Sequence, residues 1–183
     1  GPYLILGLIL LLVMILFLFI KLPEVKESEE KSTKSFLQVL GVKNVGWGVL
    51  AQFFYIGAQI YVFSFLLVFA EDAINMAGQE AKYYAGVAGL LFMIGRFAGT
   101  FFMKYISPQK LLRIYSVMSI ILSIWVIAGT GISTLYALVG MTFFMSIMFP
   151  TIFALGIEGA GSDTKPASSL LIMSIVGGAI IPP

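Results

Sequence analysis

The 183 residues are 60% hydrophobic and only 11% charged, with a mean hydropathy of +1.02 and a net charge of +2. A soluble domain carries about 25% charged residues; this chain cannot cover a water-facing surface, and its apolar surplus must face lipid. Cysteine and histidine are both absent, which excludes disulfides, thiolate metal sites and the usual general base. So small a net charge gives no basis for binding nucleic acid.

A crossing of the hydrocarbon core takes roughly 20 residues as a helix, so six crossings with short loops use the whole length and leave no room for a separate catalytic domain. Residues 2–20 form the first apolar run. It is too long for a signal-peptide core and has no basic flank before it, so it reads as a true span. With Gly1 at one end and Pro182-Pro183 directly after an apolar run at the other, the ends read as cuts through a longer protein. Residues 21–43 are the one long polar stretch, with Lys21, Lys26, Lys31, Lys34 and Lys43 interleaved with Glu24, Glu27, Glu29 and Glu30. Mixed charge of this kind reads as a solvated linker.

The second span is expected over residues 45–70, followed by a loop holding Glu71, Asp72, Asn75, Gly78 and Glu80. A third covers 81–102, and Ser107-Pro108 separates it from a fourth at 110–128. A tight turn at 129–133 leads into the fifth, 134–157, which contains Pro150. A loop at 159–166 precedes a sixth span from about residue 167. Lysine and arginine fall nine against one in alternate loops, which predicts the Lys21, Lys104 and Lys165 loops on the cytoplasmic side and residues 71–80 outside. An even number of spans then places both ends outside.

On the second span, Gln52, Tyr55, Gln59 and Phe63 share one helical face. Amides and hydroxyls that both donate and accept, set beside flat aromatic rings, suit an uncharged sugar. The same residue types also tie membrane helices together, and the spacing leaves both readings open. The fifth span repeats the pattern with Thr142, Ser146, Phe149 and Phe153. Pro150 has no N–H to offer the Ser146 carbonyl, so a bend is expected there, either as a plain kink or beside a wet cavity. Arg96 is the one charge well inside a span, with Gly95 and Gly99 spaced for close helix approach. It could snorkel or pair with backbone carbonyls, and a gating or orienting role suits it better than substrate contact. No acid lies in mid-span, so a coupling carboxylate would have to lie elsewhere. A membrane-embedded enzyme would need clustered ionisable groups, which Arg96 alone does not supply; P-loop, nucleophile-elbow and zinc spacings are missing from the sequence.

Four stretches carry a likeness: Phe53-Phe54-Tyr55-Ile56-Gly57-Ala58-Gln59, Ile94-Gly95-Arg96-Phe97-Ala98-Gly99-Thr100, residues 149–157 beginning Phe149-Pro150-Thr151, and residues 172–180 with Gly177-Gly178. In this order the chain resembles the fucose:proton symporter family of the major facilitator superfamily. The resemblance implies an all-α integral membrane bundle, about six helices of a twelve-helix parent, and a secondary transporter rather than an enzyme. Residues 1–20 would be the last helix of the amino-terminal half, 21–44 the cytoplasmic linker, and 45–183 the carboxy-terminal half without its final helix. Function would be proton-coupled uptake of a neutral monosaccharide across the bacterial inner membrane, with no cofactor and the proton bound in the other half. The partners implied are the sugar, the bilayer and that half, with no nucleic acid. Gln59, Phe92 and Phe149 would line the cavity beside Gln52, Tyr55 and Ser146 of the stripes, and Arg96 and Pro150 would gate or orient. Fucose-transporting members have a tyrosine where this chain has Phe149, so fucose, glucose, galactose or another hexose stay open. A transport-inactive sensor, or a carrier of another small polar solute, are the alternatives.

Overall fold

The structure, a computed structural model, describes residues 2–19 and 36–182; most of the polar segment read over 21–44, including Lys21, lies outside them. The described residues are helical with no strand. The chain divides into two units, Gly1–Glu30 and Lys31–Pro183. The first holds α1 (Pro2–Phe19), 18 residues without a charge. An all-round apolar helix of this kind is a lipid or bundle element rather than a surface helix.

The second unit begins with a single turn, α2 (Phe36–Val39), and then α3 (Lys43–Val68). α3 runs on into a π turn at Phe69–Ala73, giving a span of 31 residues. At 1.5 Å per residue this is about 45 Å, longer than the roughly 30 Å hydrocarbon core. Asn75, at φ 55°, turns the chain back, a conformation asparagine tolerates better than most residues. α4 (Gly78–Phe102) and α5 (Pro108–Ala128) follow. Pro108 opens α5 in the first turn, where its missing N–H costs nothing. Gly131, at φ 67°, makes the turn into α6 (Ile132–Met145), and the Thr134 hydroxyl donates to its carbonyl at 2.6 Å.

Two expected spans are broken. The fifth stops at Met145 and resumes as α7 (Met148–Ile157), with Ser146 and Ile147 between. The sixth starts at Thr164, before the expected Ala167, and is split into α8 (Thr164–Met173), a tighter turn at Ser174–Val176, and α9 (Gly177–Ile180). Among the described residues, four spans have the length and apolar character to cross a membrane: residues 43–73, 78–102, 108–128 and 132–157.

Lipid tails are as apolar as leucine, so membrane helices associate through close packing of small residues. α4 lies along α6, and α3 along α7 and α9. A Cβ added at Gly95 would sit 2.4 Å from the Phe143 carbonyl oxygen and 2.6 Å from the Ser146 Oγ. One added at Gly177 would be 2.1 Å from the Phe53 carbonyl oxygen. Around these contacts, Ile56, Leu66, Ala88, Leu135, Val139 and Ile152 form a core joining α3, α4, α6 and α7. Outward, Phe97 and Phe101 of α4 and Ile120, Ile124 and Ile127 of α5 stay exposed, as a lipid-facing surface requires.

Candidate substrate-binding site

The polar stripe on α3 divides between two environments. Gln52 is completely buried, and neither its amide nitrogen nor its amide oxygen has a hydrogen-bond partner. Tyr55 is buried as well, and its hydroxyl donates to the carbonyl of Met145 on α6. These two face the packed interior. One and two turns on, Gln59 is half-buried and Phe63 sits at the edge of exposure. Among the described residues the Gln59 amide has no hydrogen-bond partner, so it can both donate to and accept from a ligand.

Phe63 meets Phe92 of α4 edge to face, with ring centroids 5.4 Å apart at 83°. Arg96, one turn along α4, lies over the Phe92 ring at 5.2 Å, within cation–π range. Phe149 of α7 is half-buried and packs on the same core as Phe92. Three helices thus carry the Gln59 amide, three aromatic rings (Phe63, Phe92 and Phe149) and the Arg96 cation.

The break in the fifth span follows from Pro150. With no proline N–H available, the Ser146 carbonyl accepts instead from Arg96, at 3.3 Å from Nε and 3.1 Å from Nη2. No carboxylate pairs with Arg96 among the described residues. The backbone-carbonyl partner named as one option for Arg96 is thus Ser146. Arg96 lies six residues from the end of α4, about 9 Å along the axis. Beyond it, Thr100, Met103, Ile147, Pro150 and Thr151 line a cleft of about 370 Å³.

Ser146 and Thr142 have other engagements. The Ser146 hydroxyl donates to the Phe143 carbonyl at 2.7 Å, and Thr142 reaches Ala88 of α4 at 2.9 Å and Val139 at 2.7 Å. Thr142 therefore ties α4 to α6. Pro150 is exposed, and Phe153 half-buried. The spacing of Pro150 after Ser146 signals a free carbonyl in the sequence. That Tyr55 and Arg96 reach the break from two other helices is a tertiary fact, with only Gly95 and Gly99 as its hint.

The sequence profile of the Major Facilitator Superfamily matches residues 1–182. The chain belongs to that superfamily. It is a multi-pass membrane protein. Among major facilitators it is similar to the L-fucose-proton symporter of Escherichia coli (strain K12), at 37% identity over 190 residues, covering 100% of this chain and 43% of that protein. It is also similar to the putative glucose/galactose transporter of Helicobacter pylori (strain ATCC 700392 / 26695), at 37% over 182 residues, covering 100% of this chain and 44% of that one. The crystal structure of the major facilitator transporter FucP in the outward conformation superposes with a TM-score of 0.85 at 37% identity, covering 98% of this chain and 45% of that one. The chain spans less than half the length of the relatives it matches.

Proposed function

We propose that this chain forms part of a proton-coupled carrier of a neutral monosaccharide working by alternating access, and that Gln59, Phe92 and Phe149 form its share of the sugar site. The observation that carries the reading is the likeness, along the entire chain, to both a fucose-proton symporter and glucose/galactose transporters. The Gln59 amide, unpartnered among the described residues and one turn from Phe63 on α3, supports it chemically, because a sugar presents hydroxyls at its edges and C–H surfaces on its faces. We assign residues 1–20 to the amino-terminal half, 21–44 to the linker and 45–183 to the carboxy-terminal half. The Lys104 and Lys165 loops then face the cytoplasm of a bacterial inner membrane.

In alternating access, two halves rock about a site near the midplane. No Asp or Glu stands in mid-span here, so the group that binds the coupling proton belongs to the other half. Proton binding drives the cycle only through different affinity for the two states. In cells lacking their own hexose and fucose permeases, the full-length protein carrying this sequence should restore labelled sugar uptake, and a protonophore should abolish accumulation. Uptake that a protonophore leaves untouched contradicts the coupling, and the lack of any sugar uptake favours the sensor alternative.

A further inference from the structure

Two neighbouring carbonyls at the break in the fifth span are each held by a side chain from another helix. Met145 oxygen accepts from Tyr55 of α3, and Ser146 oxygen accepts from Arg96 of α4. The Met145 carbonyl, which an unbroken helix would offer to the backbone amide of Phe149, is taken by the Tyr55 hydroxyl instead. Tyr55 is thus inserted into a rung of the helix, one of the recognised causes of a sharp bend. Pro150 removes the next rung.

The three wall residues are attached to this joint. Gln59 stands one turn from Tyr55 on α3, Phe92 one turn from Arg96 and under its guanidinium, and Phe149 lies in the first turn of α7, directly after the break. We infer that Tyr55 and Arg96 are positioning residues that clasp α6 and α7 in a bent arrangement, and that sugar on Gln59, Phe92 and Phe149 acts on the bend through them. This rests on the sugar-carrier reading for its ligand, but the clasp itself does not. Both donors are side chains that can release a carbonyl without unfolding a helix, so the joint can take a second, straighter arrangement. A ligand touching all three elements binds those arrangements unequally, which is what shifting an equilibrium requires.

The sequence has no cysteine, so spin labels introduced at Ile132→Cys and Glu158→Cys report the length of the broken span. Any cysteine elsewhere in the full-length protein is replaced first. In detergent, Tyr55→Phe frees the Met145–Phe149 rung to close, and Pro150→Ala offers the Ser146 carbonyl an N–H. Each should lengthen the label distance, and the pair together should add little to either alone. In proteoliposomes, Tyr55→Phe should leave equilibrium sugar binding within about twofold of wild type while counterflow falls tenfold or more. A label distance unmoved by both substitutions overturns the clasp. Binding and counterflow lost in parallel, or counterflow fully kept, overturns its coupling to sugar. Failure of the wild type to bind any sugar overturns the carrier reading, while the distance measurement still decides the clasp.

Discussion

Phe149 differs from a tyrosine by one hydroxyl, and at a half-buried position in the proposed sugar site that atom decides specificity rather than stability. A site that hydrogen-bonds a sugar hydroxyl rejects analogues lacking it far more strongly than an apolar site can. Phe149→Tyr should therefore change the ranking of competing sugars, measured as inhibition of labelled uptake by a panel of hexoses and 6-deoxyhexoses. A shift of about tenfold in the ratio of two sugars corresponds to one gained hydrogen bond of roughly 1.4 kcal/mol. An unchanged ranking removes Phe149 from the site. At this scale the sequence was informative about residue type but not about direction. Gln52 and Gln59 are seven residues apart on one helix face, yet one is sealed in the packing and the other faces outward. Helical period gives the face; only the neighbours of α3 determine which part of that face is covered.

Helices here are joined by glycines at specific crossings, and the two kinds of glycine on α4 make a controlled comparison. Gly95 and Gly86 share a helix, but a Cβ at Gly86 meets nothing within 4 Å. Gly95→Ala should destabilise the bundle by about 1–3 kcal/mol, the range for overpacking, seen as a lower melting temperature in detergent. Gly86→Ala should leave it unchanged or slightly raised. Equal effects would mean that helix propensity, rather than the contact with Phe143 and Ser146, governs both. The element order was legible in the sequence because apolar runs long enough to span are rare outside membranes. The bend in the fifth span was legible too, through Pro150. The split of the sixth was not: Ser174 turns its hydroxyl back to the Leu171 carbonyl at 2.6 Å, and Gly177 lies against the α3 backbone. Both are consequences of packing rather than of local composition.

For the whole molecule, the charge asymmetry between loops makes a claim about sidedness. Lys104 follows α4, and Asp72 lies in the π turn that ends α3. With single cysteines at these places in right-side-out vesicles, a membrane-impermeant thiol reagent should label Asp72→Cys and spare Lys104→Cys until the vesicles are opened. Labelling of both from one side would contradict the topology, and with it the assignment of spans. The wall proposed on α3, α4 and α7 is the central claim at this scale, because it is the part of the proposed sugar site assigned to this chain. Its most direct test is equilibrium sugar binding to the purified full-length protein, wild type against Gln59→Ala. Saturable binding by the wild type, weakened about five- to thirtyfold by loss of one or two hydrogen bonds of roughly 1 kcal/mol each, is the expected result. Binding that is identical in the two proteins would contradict the account.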